Sequence, residues 1–187
     1  MKRVNNAELI AELIKSYKEG NNEAFEILLG KYKLSLFNYI LRMVGIKEVA
    51  EDIFQDVWIQ VIKVLPRYRE QNKFSSLLFK LANSKSIDYL RKNKRDLQCG
   101  GKVEGVQCRS EATSSIQSLI EKKEILSLLN NTVMELPAKQ KEVFLLRQHS
   151  GLSFKEIAGI LDCPLNTVLA RMHNAILNLR KTLKEEK

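Results

Sequence analysis

The chain has 187 residues, a formal net charge of +9 and a pI near 9.5, with 44% hydrophobic and 28% charged residues. That balance is ordinary for a globular fold, and no stretch approaches the ~20 uninterrupted apolar residues of a membrane span, so no stable membrane insertion is expected. The opening MKRVNNAELIAEL has no apolar core behind its charges, which predicts a cytoplasmic protein, and the positive excess points to a polyanionic partner.

In chain order, almost everything reads as helix. The three prolines, Pro66, Pro137 and Pro164, each fall at an element boundary. No run of alternating β-branched residues is bounded by hairpin signals. A first helix runs from about Asn6 to Lys18 and stops at Gly20. Asn22 then caps a second, with Ala24, Phe25, Leu28 and Leu29 inward. A third carries Tyr32, Leu36, Ile40, Leu41 and Val44 on to Gly45. The fourth holds Val49, Ala50, Ile53, Phe54, Val57, Trp58, Val61, Ile62 and Leu65, an i, i+3/i+4 stripe over more than four turns, ended by Pro66. Arg67 to Lys73 is a polar loop.

A fifth helix extends from Phe74 to about Arg95, with Phe74, Leu77, Leu78 and Leu81 on its core face. Lys85 and Asp88 lie near the same face, three residues apart, and read either as an ion pair or as a kink. Asp96 to Ser115 has three glycines and no aromatic residue or apolar period, and is predicted to be a flexible linker. Periodicity resumes through Ile116, Leu119, Ile120, Leu126, Leu129 and Val133, breaks at Leu136-Pro137, and continues with Val143, Phe144, Leu145 and Leu146 to Ser150-Gly151. The expectation is an all-α protein of two small helical domains, 1–95 and 116–187, joined by the 96–115 linker.

The last segment, LSFKEIAGILDCPLNTVLARMHNAI, would be one amphipathic helix but for Asp162-Cys163-Pro164. Proline suits a first helical turn and not an interior one, so one helix stops near Leu161 and another starts near Pro164. At 100° per residue, Leu165, Val168, Met172, Ala175, Ile176, Leu179 and Leu183 share one side of the second helix. Asn166, Thr167, Ala170, His173, Asn174 and Lys181 lie opposite, flanked by Leu169 and Arg171. A short polar face near a helix N-terminus is what reading base edges in the major groove requires. The preceding helix, with Ile157, Ala158 and Leu161 inward and Lys155 outward, would brace it and touch phosphate. This is a helix–turn–helix, with a plain helical hairpin as the alternative.

Little points to catalysis or metal. Cys99, Cys108 and Cys163 match no zinc spacing, and only two histidines are present. The cysteines read as incidental thiols, with a redox role for Cys99 and Cys108 left open. No phosphate-cradling glycine loop, HExxH or nucleophile elbow is found, so neither cofactor nor enzymatic activity is expected.

LPAKQKEVFLLRQHSGLSFKEIAGILDCPLNTVLARMHNAI resembles region 4 of bacterial sigma factors of the extracytoplasmic-function (ECF) group. GNNEAFEILLGKYKLSLFNYILRMVG and EVAEDIFQDVWIQVIKVLPRYREQNKFSSLLFKLANSKSIDYLRKNKR resemble their region 2. The resemblance implies a DNA-binding initiation subunit that binds core RNA polymerase, recognises −10 and −35 promoter elements, and is often held by an anti-sigma factor.

It also assigns roles. Glu51, Asp52, Gln55, Asp56 and Gln60, on the polar side of the Trp58 helix, would dock on the polymerase. An acidic face on a basic protein suits a protein partner better than DNA, although Glu48, Glu51 and Asp52 would also favour a helix N-terminus. Tyr68, Lys80, Asn83, Ser84, Lys85 and Arg91 would meet the −10 element, with Phe74 and Phe79 as further aromatic candidates and Phe74 favoured as core. The cationic run Arg91, Lys92, Lys94 and Arg95 reads either as a phosphate contact or as a solvated helix end. Lys155, Asn166, Thr167, Leu169, Ala170, Arg171, His173 and Asn174 would meet the −35 element.

The match is not uniform. Leu77 stands where the family commonly has tryptophan, and Ser84 where it has asparagine. Leu169, Ala170 and Asn174 replace cationic or hydroxyl groups, which predicts a changed −35 preference, with Leu169 and Ala170 packing on thymine methyls.

Overall fold

The computed structural model describes residues 6–69, 73–98 and 131–185. The 99–130 stretch, with Cys99, Cys108 and most of the expected linker, lies outside the described residues, as does the side chain of Leu183. Among the described residues every regular element is helical. We label them α1 (Asn6–Lys18), α2 (Asn22–Val44), α3 (Lys47–Val64), α4 (Phe74–Gln98), α5 (Ala138–Ser150), α6 (Phe154–Leu161) and α7 (Leu165–Glu185). A 3-10 turn, Leu65–Arg67, follows α3, and residues 131–135 are helical ahead of α5.

Local chemistry sets most boundaries. Gly20, Gly45 and Gly151 take positive φ where α1, α2 and α5 end, a conformation that costs glycine nothing. The cap of α2 is Asn21, one residue earlier than expected: its extended backbone lets the side-chain oxygen accept from the Glu23 amide at 3.0 Å. The expected second and third helices are one 23-residue helix. Gly30 lies in its interior, where it costs roughly 0.5–1 kcal/mol relative to alanine. Burial of Leu28, Tyr32 and Leu36 on both sides of it outweighs that cost.

The first half is built around α2. An aromatic chain runs Tyr17–Phe25–Trp58–Phe54–Phe37, with successive ring centroids 5.2–6.2 Å apart. Tyr32 and Tyr68 both pack on Phe74, which is fully buried as its periodicity predicts. In the second half, α5, α6 and α7 close around Val143, Leu145, Leu146, Ile157, Val168 and Ala175.

The two halves are not separate bodies in this structure. α5 packs against α2 as well as α7, and α4 lies against α5 and α6, so the buried apolar residues form one continuous cluster. α4 is therefore covered on two sides. That explains why Phe79, Ala82, Asn83 and Ser86 are buried along with the expected Phe74 and Leu78.

Candidate functional site

The helix–turn–helix forms where the proline break predicts it. α6 begins at a reciprocal cap, a local signal that the sequence carries as Ser153-x-x-Glu156. The Ser153 amide donates to Glu156 Oε2 at 2.9 Å and the Glu156 amide donates to Ser153 Oγ at 3.3 Å. The bonds from Ser153 hold the Glu156 carboxyl below its usual range. α6 ends at Asp162, whose φ of 48° is left-handed, and the Cys163 amide donates back to the Ala158 carbonyl at 3.2 Å. Pro164 then precedes α7.

Three contacts fix this unit on α5. Arg147 donates to the Leu152 carbonyl and stacks over Phe154, and Asn178 donates to Gln140 at 2.8 Å. Val168, Ala175 and Leu179 are buried as expected, but Leu165 is exposed because it sits at the open edge of the first turn. The outward face presents Asn166, Leu169, Ala170, His173 and Asn174, with Thr167 and Arg171 half-buried at its margin. Arg171 Nη1 lies 3.7 Å from Cys163 Sγ, so the turn thiol helps to orient that guanidinium. Lys155 is exposed on α6.

On α3, Glu51, Asp52, Gln55, Asp56 and Gln60 are all exposed and form one ridge. Ile59 and Ile62 lie beside them, 50% and 42% exposed. The periodic stripe placed Ile62 inward, but it sits at the stripe's edge, where Val57, Trp58 and Val61 already fill the contact with α2 and α4. The α3 face is thus acidic and apolar together.

The expected −10 residues divide. Lys80, Ser84 and Arg91 are exposed on α4, and Tyr68 is half-buried against Phe74. Lys85 pairs with Asp56 of α3 at 2.9 Å and Asp88 is 3.9 Å from Arg91, so of the two readings left open for Lys85 and Asp88 the mutual ion pair is not the one found. Phe79 is fully buried and packs edge-on to Tyr39, which leaves it no face for a base. Asn83 is buried: its amide donates to Glu142 Oε1 of α5 at 3.0 Å, and its carbonyl accepts from the Tyr39 hydroxyl at 2.8 Å. Among the described residues, no cluster of three or more metal-ligating side chains is found.

Residues 28–96 match the Sigma-70 region 2 model and residues 126–179 match the Sigma-70, region 4 model. The chain is 31% identical over 183 residues to the ECF RNA polymerase sigma factor SigW of Bacillus subtilis, a match that covers 95% of this chain and 98% of that protein. The chain belongs to the ECF RNA polymerase sigma factors. It is an alternative sigma factor, of the sigma-70 superfamily, that directs promoter recognition and transcription initiation.

The ECF RNA polymerase sigma-E factor of Escherichia coli is 25% identical over 176 residues, covering 87% of this chain and 88% of that protein. Two solved structures share the fold. The sigma factor RpoE in complex with the anti-sigma factor NepR from Bartonella quintana superposes with a TM-score of 0.72 at 22% identity, covering 87% of this chain and 98% of that one. CnrH in complex with the cytosolic domain of CnrY gives 0.68 at 19% identity, covering 96% and 99%. No helix among the described residues of this sigma factor is long and apolar enough to cross a membrane.

Proposed function

We propose that this sigma factor divides its work among three surfaces, borne by two domains, 1–95 and 116–187, on either side of the 96–115 linker. The α3 ridge, Glu51, Asp52, Gln55, Asp56 and Gln60 with the adjoining Ile59 and Ile62, docks on core RNA polymerase. The observation that carries this is the sign of that face: an acidic and apolar ridge on a +9 chain repels DNA and suits a protein. The α4 surface, Lys80, Ser84, Lys85 and Arg91 with Tyr68 and Asn83, engages the −10 element. Lysine and arginine there would neutralise phosphates, and Tyr68 supplies an aromatic edge.

The outward face of α7, Asn166, Thr167, Leu169, Ala170, Arg171, His173 and Asn174, enters the major groove at the −35 element, and Lys155 holds a phosphate. The cytoplasm is the compartment where these partners meet. Neither cofactor nor catalysis of its own is needed, because the polymerase performs the chemistry. An anti-sigma factor is a further partner, on the ground that CnrH and RpoE are each seen with one or with the cytosolic domain of CnrY.

A gel shift on promoter DNA with and without core polymerase tests this reading. Specific retardation should require the polymerase. Tight, specific binding by the chain alone would instead indicate a free-standing helix–turn–helix regulator.

A further inference from the structure

Arg171 stands apart from the rest of the outward residues of α7. Asn166, Ala170, His173 and Asn174 are exposed on that face, whereas Arg171 and Thr167 are half-buried at its margin. The two are one helical turn apart, so they are neighbours along one edge of the helix. A long side chain on a helix leans toward the N-terminus. The Arg171 guanidinium follows that direction back to the turn, where Nη1 donates to Cys163 Sγ at 3.7 Å. Among the described residues that sulfur is its one polar partner. Asp162, next to Cys163, is exposed and forms no ion pair with it.

A thiol is a weak and neutral acceptor. It occupies one guanidinium N–H and cancels none of the charge, so Arg171 is held in place with its cation uncompensated and its other donors free. Half-burial at the margin also sets it off the outward line along which base edges are met. Beside a recognition helix in the major groove stand the sugar–phosphate walls, and contacts to them fix register without carrying sequence.

We propose that Arg171 grips a backbone phosphate beside the −35 element while Asn166, Ala170, His173 and Asn174 meet the bases, and that Cys163 is the positioning residue that sets the guanidinium toward that phosphate. The Thr167 hydroxyl, on the same edge, is a second donor to the same strand. The bond to sulfur is weak, so its part is to fix the resting direction of the side chain. The bond to phosphate is charge-assisted and supplies the affinity. This inference rests on the proposed −35 role of α7 and assigns separate tasks within it.

The test uses holoenzyme reconstituted from core RNA polymerase and the full chain, on a DNA library with a randomised −35 hexamer and on one promoter fragment recovered from it. R171A should weaken all hexamers alike and leave their order of preference as in the wild type. On the recovered fragment, the wild-type advantage over R171A should shrink about threefold between about 50 and about 200 mM salt, the share of one phosphate contact. R171Q, which keeps the length and hydrogen bonding of the side chain without its charge, gives the same signature should R171A fold poorly. C163A should cost about threefold in the wild-type background and nothing further in R171A, because its effect passes through the guanidinium. C163S keeps an acceptor at the turn and should bind close to the wild type.

Loss of preference at a single −35 position in R171A and R171Q, by about fivefold or more, makes Arg171 a base reader and overturns the clamp. A wild-type advantage that does not change with salt overturns it as well. Additive losses from C163A and R171A, or a C163S as weak as C163A, overturn the positioning role of Cys163. Selective transcription by the wild-type holoenzyme is scored first. Its absence removes the sigma-factor reading and the clamp together, whereas the variant outcomes remove the clamp alone.

Discussion

Lys85 Nζ on α4 lies 2.9 Å from Asp56 Oδ2 on α3, so a residue assigned to promoter DNA is paired with one assigned to the polymerase. The Asp56 side chain is 61% exposed and that of Lys85 30%, so the pair sits in water and is worth under about 1 kcal/mol. Its interest lies in position. Asp56→Lys should leave the denaturation midpoint almost unchanged while weakening core polymerase binding at least about tenfold, because it reverses charge in the middle of the ridge. Equilibrium binding of labelled core enzyme checks this, and unaltered affinity would remove α3 as the docking face.

Phe79 provides a sharper contrast between expectation and structure. As a base platform it would tolerate removal without loss of fold. As a buried ring packed on Tyr39 it should not: Phe79→Ala is expected to cost about 3–5 kcal/mol, and Phe79→Leu much less. Chemical denaturation of Phe79→Ala distinguishes the roles: a large fall in stability marks a core ring, whereas an unchanged midpoint would mark a base platform.

The pH dependence of stability should carry a histidine signature. Burial first, and the nearby Arg42 charge second, lower the His149 pKa from 6.5 to about 4. The folded protein therefore holds fewer protons than the unfolded chain between those values. Stability from this group is full above 6.5 and is lost as pH falls toward 4. Glu156, held low by Ser153, adds a further loss only below its ordinary 4.5. Denaturation at about pH 7.5 and about pH 5 should show a decline that His149→Gln flattens. An equal decline in both proteins would place the effect elsewhere.

Leu169 and Ala170 stand on the exposed face of α7, as the helical wheel requires. Replacing a cationic or hydroxyl contact by these side chains removes about 1–3 kcal/mol of discrimination per lost bidentate pair. Transcription selected from a randomised −35 hexamer should enrich thymine opposite these positions. Enrichment of the G-rich element usual for this family would refute it.

What was legible in the sequence follows from how local the signal is. Gly20 and Gly45 as helix stops, the Asp162-Cys163-Pro164 break and the burial of Phe74 each depend on a few neighbouring residues, and all are present. Gly30 did not divide α2, because the apolar contacts of Leu28 and Tyr32 lie far away in sequence. The same distance hid Asn83, whose partners Tyr39 and Glu142 are 44 and 59 residues away, and the Lys85–Asp56 pair, 29 residues apart. Helical periodicity distinguishes an inner from an outer side of one helix. It does not reveal that α4 has two inner sides.

The claim on which the rest depends is that a charged ridge recruits a polymerase and two other helices choose where it starts. Reconstituted core enzyme, supplied with this chain and a library of genomic fragments, measures it in one run-off transcription assay. The expected outcome is a small set of discrete transcripts sharing upstream elements, absent without the chain and lost with Asp56→Lys. Transcripts of the same number and position with or without the chain would contradict it.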